Sequence, residues 1–269
     1  MMIMKRKKEI RNFQEYLMNS WPAKHYYFLN GWILRFTEGV TSRANSIFPI
    51  RYTGTQITLD NDLELVEKAY NAHGLEAVFT IPDFHEPKNL KEKLLNRGYQ
   101  PYDHTTALGT KIEDIQPQKI NEDFEYFFFK TRIKEISDFL SRYSKWNEIE
   151  QNIIQEINQR IIFPIKCYML TKLNKEVTGT LLAVLVPQGY LYIGDVFVHP
   201  DYRRQNIATS MLVKLIEEWT LINGVGFIWL QVERDNIKAL NLYHKFGMRK
   251  LYNYYYMKKN LIAKPSMIN

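Results

Sequence analysis

Residues 195–212 have the sequence Asp195-Val-Phe-Val-His-Pro-Asp-Tyr-Arg-Arg-Gln-Asn-Ile-Ala-Thr-Ser-Met-Leu212. The pattern predicts a β-strand followed by a short basic loop, which leads directly into an amphipathic helix over Ile207 to Ile222. The first N–H groups of a helix have no partner within it, and the helix dipole favours an anion there. Arg203 and Arg204 place two permanent positive charges beside these groups. The sequence therefore predicts a phosphate-binding site at the start of this helix.

Strands and helices alternate on both sides of this stretch, which predicts an α/β fold with a mixed sheet (α+β). Before it, Phe124 to Ile162 is predicted to be mostly helical, and the turn Pro187-Gln-Gly189 predicts a hairpin between the second and third of the strands that follow. The predicted strands are Lys166 to Leu173, Thr178 to Val186, Tyr190 to Val198, Phe227 to Val232 and Met248 to Lys258, and a helix is predicted over Asn236 to Phe246.

The polar segment Gln116-Pro-Gln-Lys-Ile-Asn-Glu122 predicts a boundary between domains at residues 1–117 and 122–260. In the first region the sequence Gly98-Tyr99, after a predicted helix, echoes Gly247-Met248. The first region is therefore either a degenerate copy of the second or an unrelated domain with a similar ending. Its predicted elements are strands Gly31 to Phe36, Glu76 to Ile81 and Thr105 to Gly109, and helices Asn61 to His73 and Asn89 to Asn96.

Charge and composition narrow the class of ligand. The net charge is +7, but Lys and Arg are spread along the chain, with one cluster at Lys5-Arg-Lys-Lys8. This distribution fits a solvated basic surface or a ligand with several phosphates, and no nucleic-acid-binding motif accompanies it. Neither a membrane span nor a secretory signal is expected, because no apolar run approaches about 18 residues. The single cysteine, Cys167, allows no intrachain disulfide and lies in an apolar run, so we expect a buried thiol and a cytoplasmic protein.

The basic loop resembles the acetyl-CoA loop of the GNAT superfamily of N-acetyltransferases. The family pattern is Arg or Gln, two residues, Gly, one residue, and then Gly or Ala; Arg203, Asn206 and Ala208 occupy these positions, after Val198-His-Pro-Asp-Tyr202. Asn206 replaces the usual Gly. Because Asn tolerates left-handed backbone better than other non-Gly residues, the loop is still expected to form.

A second segment resembles the later strand–helix unit of the same family. Asn236, Ala239, Tyr243 and Gly247 match its spacing, with Met248 in place of the common Phe. Two motifs in the right order imply a GNAT fold for the C-terminal half. The stretch from Gly31 to Ser46 resembles a segment at the front of some bacterial GNAT proteins of this length, which implies a bacterial two-domain member of the family. The first half contains no Arg-x-x-Gly-x-Gly loop, so we expect it to be a degenerate GNAT-like domain with a structural or substrate-shaping role.

The resemblance implies an N-acetyltransferase that moves an acetyl group from acetyl-CoA to a primary amine of a small molecule or protein, without a metal. Tyr243 occupies the position of the general acid, and a tyrosine hydroxyl and a thiol have similar basicity. Asp195, His199, Glu233 or a water chain is left open as the base. The alternative is an acyl-CoA-binding regulatory module whose transfer chemistry has decayed. The residues expected to bind acetyl-CoA are Val196, Val198, Arg203, Arg204, Gln205, Asn206, Ile207, Ala208, Thr209 and Asn236.

The partner is expected to be a small-molecule or peptide amine, with neither nucleic acid nor membrane. The sequence leaves open whether the protein is a monomer or a homodimer.

Overall fold

The computed structural model describes residues 2–259, and the contacts among them divide the chain into two compact units. The first unit contains residues 2–11, 23–104 and 253–259, and the second contains residues 12–22 and 105–252. Each unit is therefore assembled from segments that are separate in the sequence. The predicted domain limits at residues 117 and 122 stay a prediction.

The first unit contains a mixed sheet in the order β1-β2-β3-β4-β11, in which β3 and β4 are parallel and the other neighbours are antiparallel. Its core is built around Trp32, Leu63 and Phe79, all fully buried. The strands are β1 (His25–Leu29), β2 (Trp32–Phe36), β3 (Ile47–Phe48), β4 (Phe79–Pro82) and part of β11 (Arg249–Lys259). The helices are α2 (Leu59–Ala72), α3 (Leu90–Asn96) and the start of α1 (Met2–Ser20), with a short 3₁₀ turn at Ser42–Ala44.

The second unit contains a sheet in the order β5-β10-β9-β8-β7-β6, in which β9 and β10 are parallel and the other pairings between these strands are antiparallel. The predicted mixed sheet and the hairpin at residues 187–189 are confirmed. The strands are β5 (Tyr99–Lys111), β6 (Glu125–Phe129), β7 (Lys166–Leu173), β8 (Glu176–Val186), β9 (Tyr190–Val198) and β10 (Phe227–Glu233). The helices are α4 (Lys134–Tyr143), α5 (Glu148–Gln159), α6 (Ile207–Leu215), α7 (Leu221–Asn223) and α8 (Ile237–Lys245), with 3₁₀ turns at Ile112–Asp114, Pro187–Gly189 and Pro200–Tyr202.

Helix α6 is held against the sheet by its apolar side chains. Ile207, Met211, Leu212 and Leu215 are at most 2% exposed and belong to the core of the second unit. Each buried side chain of this size contributes about 1.5–3 kcal/mol. Because Ile207 is the first residue of the helix, this packing also fixes the helix start close to the end of β9.

Two predictions about this unit were wrong in part. The region 124–162 begins with strand β6, because the aromatic run Glu125–Phe129 pairs with β7 and forms the edge strand of the sheet. The helix predicted over residues 207–222 changes to π-helical geometry at Ile216–Thr220 before its last turn, α7. There the Thr220 hydroxyl donates a hydrogen bond to the Ile216 carbonyl, as threonine often does within helices.

Two simpler expectations can also be compared with the structure. Cys167 is buried, as predicted, and burial raises the pKa of its thiol to about 12. Within residues 2–259, no helix has both the length and the apolar character needed to cross a bilayer.

Candidate active site

Strands β9 and β10 separate before they end. They pair in parallel from Tyr190 opposite Phe227 to Ile193 opposite Leu230, and their pairing goes no further within the described chain. Strand β9 nevertheless continues to Val198, still paired with β8 on its other side. The edge of β9 that faces β10 therefore has backbone polar groups without a strand partner, which a ligand can use.

A β-bulge lies in β9 at the same point. Thr180 of β8 is opposite Phe197, whereas Leu182 is opposite Gly194, so β9 contains one extra residue. Asp195, inside the bulge, has a positive φ of 49°. After the bulge, Phe197 contacts the ring of Phe139 on α4, with 5.7 Å between centroids, while Val196 and Val198 face the core beneath α6 and α8.

The loop between β9 and α6 adopts left-handed backbone at two residues, Arg204 (φ 67°) and Asn206 (φ 61°, ψ 13°). The expectation that Asn206 takes this conformation is confirmed. Asn206 precedes the helix at the capping position, but its side chain makes no capping hydrogen bond. The first amide to reach a carbonyl four residues back is that of Ser210, which donates to Asn206 at 2.8 Å. The helical ladder therefore leaves the N–H groups of residues 207–209 available.

A cleft of about 1090 Å³ opens where the end of β9, the start of α6 and helix α8 meet. It brings together ten of the eleven residues singled out from the sequence, namely Val196, Val198, Arg203, Arg204, Asn206, Ile207, Ala208, Thr209, Asn236 and Tyr243. Gln205 is not part of its lining. The further lining residues are Gln118, Phe197, Pro200, Tyr202, Lys238, Ala239, Asn241, Leu242, Lys245 and Phe246.

Half of the additional residues lie on α8, and helical periodicity could have identified them. Lys238, Leu242 and Lys245 follow one another at spacings of four and three, as do Ala239, Tyr243 and Phe246. Gln118 carries no such signal, because it lies in the polar segment interpreted as a domain boundary.

The cleft is positively charged. Arg203, Arg204, Lys238 and Lys245 contribute to its lining, and no Asp or Glu does so within the described residues. Arg203 is held in place by two contacts: its Nε donates to the Val198 carbonyl at 3.3 Å, and its guanidinium lies 5.9 Å from the centre of the Phe197 ring. Four cations without a counter-charge complement a strongly anionic ligand.

The Tyr243 side chain is 7% exposed and lines the cleft. Burial, with a smaller contribution from Tyr192, raises the pKa of its hydroxyl to about 12. Among residues 2–259, no group forms a hydrogen bond with this hydroxyl, which leaves it open to a ligand. Asn236 has a structural task that the sequence did not indicate, because its side-chain oxygen caps α8 by accepting from the Ala239 N–H at 3.1 Å.

None of the three side chains considered as the base lines the cleft. His199 is 5% exposed; its Nδ1 accepts from the Asp201 N–H, and its ring lies 4.1 Å from that of Tyr143. Glu233 is exposed at the end of β10. Asp195 lies near the buried Arg132. Burial lowers the pKa of this arginine, and the Asp195 carboxylate offsets part of that decrease. No cluster of three His, Cys, Asp or Glu side chains in the described part of the chain is arranged to hold a metal ion.

Comparison with known proteins gives the family. Residues 133–248 match the model of the "Acetyltransferase (GNAT) family". YobR of Bacillus subtilis (strain 168), described as an uncharacterized N-acetyltransferase, is 26% identical over 252 residues, which cover 92% of this chain and 98% of that protein. The chain contains a GNAT-family acetyltransferase domain over residues 133–248. It is therefore an acyltransferase enzyme.

The remainder of this GNAT enzyme also resembles known proteins. Residues 7–120 match the model "Probable histone acetyltransferase Rv0428c C-terminal". A tandem GNAT protein from the clavulanic acid biosynthesis pathway superposes with a TM-score of 0.66 at 9% identity, over 95% of this chain and 89% of that one. This likeness confirms the predicted GNAT fold. The ribosomal protein bS18-alanine N-acetyltransferase of Escherichia coli (strain K12) is 31% identical over 83 residues, which cover 31% of this chain and 54% of that enzyme.

Proposed function

We propose that the cleft binds acetyl-CoA and that the enzyme transfers the acetyl group to a primary amine of a small molecule or protein. The observation that carries this proposal is the uncapped start of α6 beside four cations, in a cleft whose lining contains no carboxylate in the described part of the chain. Coenzyme A carries a diphosphate and a further phosphate on its ribose. A diphosphate suits the amides of residues 207–209 and the two arginines, and Lys238 and Lys245 suit the third phosphate.

We place the acetyl thioester end of acetyl-CoA where strands β9 and β10 separate. Acetyl-CoA supplies an acetyl group activated as a thioester. The N–H groups of Val196 and Val198 would donate to the carbonyl oxygen, which becomes more negative as the amine attacks. Preorganised donors of this kind lower the barrier because they need no reorientation during the reaction, and one such donor accounts for about 10²–10³ in rate.

Tyr243 is proposed as the general acid. As the C–N bond forms and the C–S bond breaks, the amine gives up a proton and the sulfur leaves as a thiolate. Tyr243 is positioned in the cleft, and its raised pKa keeps it protonated at neutral pH, so it can supply a proton to the sulfur. Since Asp195, His199 and Glu233 do not line the cleft, we propose that water carries the proton away from the amine.

The acceptor is proposed as a class only. The Escherichia coli relative acts, by its name, on the alanine of ribosomal protein bS18, which supports an amine on a protein. The similarity covers 83 residues, so an amine on a small molecule is proposed equally.

Calorimetric titration with CoA tests the donor site. We expect the wild-type protein to bind CoA, and Arg203→Gln combined with Arg204→Gln to weaken binding about 10- to 100-fold, since a hydrogen bond to a charged group contributes about 1.5–3 kcal/mol. Arg249→Gln, an exposed arginine outside the cleft, is the matched control and should leave the affinity unchanged. If wild-type protein fails to bind CoA at millimolar concentration, the donor site is wrong.

A panel of amines, with acetyl-CoA as donor, tests the reaction. Release of CoA that depends on one class of amine would support the proposal. Binding of CoA with no transfer to any amine would instead favour the regulatory module.

A further inference from the structure

The segment between residues 116 and 121 bridges the two helices that line the cleft. At one end the Gln116 N–H donates to the Phe246 carbonyl at 3.1 Å, and the Gln118 side-chain amide donates to the Lys245 carbonyl at 2.8 Å. Both carbonyls lie at the end of α8. Gln118 itself lines the cleft, so a segment with the composition of a linker forms part of the wall.

At its other end the segment is attached to the basic loop through Asn121. The Asn121 N–H donates to the Ser210 hydroxyl at 2.8 Å, and its side-chain Nδ2 donates to the Gln205 carbonyl at 3.3 Å. Its side-chain oxygen accepts from the Asp123 N–H at 3.0 Å, and its carbonyl accepts from the Tyr126 hydroxyl at 3.0 Å. The bond from Asp123 fixes which end of the side-chain amide faces Gln205, because that end must be the donor.

This contact determines the direction of one peptide group in the loop. The Gln205–Asn206 peptide is trans, so its C=O and N–H point in opposite directions. With the Gln205 carbonyl held by Asn121, the Asn206 N–H points away from Asn121. Asn206 lines the cleft and Gln205 does not, which is the arrangement that this orientation produces. Asn206 is also left-handed without being glycine, a conformation that benefits from an external support.

We infer that Asn121 is a positioning residue for the donor site: by holding the Gln205 carbonyl, it directs the Asn206 N–H toward the diphosphate of coenzyme A. This inference rests on the proposed function, because it assumes that CoA occupies the cleft. It assigns to residues 116–121 a part in forming the site in addition to connecting the chain. Asn121 need not touch the ligand, since it acts through the loop.

The test compares Asn121→Ala with wild type in two binding measurements. Calorimetry gives the Kd of CoA, and ligand-observed NMR follows pantetheine, which has the thiol arm of CoA but no diphosphate. The variant should bind CoA about 3- to 10-fold more weakly and pantetheine as well as wild type, because one hydrogen bond that orders the loop is lost. Asn223→Ala is the matched control: it also removes an asparagine amide bonded to a backbone carbonyl, that of Trp219, but outside the cleft.

Each outcome separates the inference from the proposed function. Unchanged CoA affinity in Asn121→Ala would overturn the inference, and so would an equal loss for CoA and pantetheine, which would mean that the whole cleft had changed. Failure of wild-type protein to bind CoA would overturn the proposed function itself. If the alanine variant does not fold, Asn121→Ser gives the same comparison, since a serine side chain is too short to hold the Gln205 carbonyl.

Discussion

At the scale of single residues, the environment of Tyr243 determines how its role depends on pH. Burial raises the pKa of its hydroxyl to about 12. A general acid must hold its proton, so a raised pKa moves the loss of activity to higher pH. We therefore expect kcat to show no fall caused by Tyr243 between about pH 7 and 10, whereas an unperturbed tyrosine would ionise near pH 10. A pH–rate profile that includes Tyr243→Phe checks this expectation.

The same variant tests the acid role directly. Tyr243→Phe keeps the ring and removes the hydroxyl, so kcat should fall about 100-fold, the scale of general acid catalysis, with the Kd of CoA unchanged. Tyr190→Phe, on strand β9 and outside the cleft, should behave as wild type. Wild-type turnover in Tyr243→Phe would remove Tyr243 from the acid role.

At the level of residues, the sequence pointed to side chains that line the cleft where the signal was local. Arg203, Asn206 and Tyr243 could be singled out because each belongs to a short motif next to a helix. Asn121 and Gln118 could not, because their partners Gln205 and Lys245 are 84 and 127 residues away in the chain. A hydrogen bond between an amide side chain and a distant carbonyl places no constraint on neighbouring residue types. It therefore produces no pattern in the sequence from which it could be predicted.

At the scale of elements, the echo between Gly98 and Gly247 corresponds to a shared geometry. Both glycines have φ +85° and follow a helix, and each N–H donates to the carbonyl three residues back, in Leu95 and His244 respectively. Glycine ends helices in this way because left-handed backbone costs it little. Helix ends of this kind could be predicted from the sequence. Strand β6 was not, because an aromatic run is compatible with either a strand or a buried helix until its partner, β7, is known.

The two glycines differ in their surroundings, which yields a prediction. A Cβ at Gly247 would lie 2.9 Å from the Asp114 carbonyl oxygen, whereas one at Gly98 would meet no atom within 4 Å. In both alanine variants the free energy of unfolding should fall by about 1 kcal/mol because of the positive φ. Gly247→Ala should lose about 1–3 kcal/mol more, since the backbone of residue 114 must move. Urea denaturation measures both. Equal losses would show that the contact with Asp114 is relieved without cost.

At the scale of the whole molecule, several of the 18 tyrosines of the chain lie in the interior. Burial is the main cause of a raised pKa at hydroxyls in both units. The five most deeply buried of these tyrosines are Tyr70, Tyr99 and Tyr256 in the first unit and Tyr168 and Tyr243 in the second. Their contribution to stability thus depends on pH in one common direction.

A phenol whose pKa is higher in the folded than in the unfolded protein stabilises the fold fully below the unfolded pKa, near 10, and loses that contribution as the pH rises toward the folded value. At pH 11 each such group should lower the free energy of unfolding by about 1.4 kcal/mol. The buried Arg35 and Arg132 act in the opposite direction, because burial lowers their pKa values, that of Arg35 to about 10, but they are two groups against five. We therefore expect the urea midpoint, followed by tryptophan fluorescence, to be steady from about pH 8 to 9.5 and to fall steeply by pH 11. Refolding on return to pH 8 would exclude chemical damage as the cause of the fall. A midpoint unchanged at pH 11 would mean that these hydroxyls reach water while the protein remains folded.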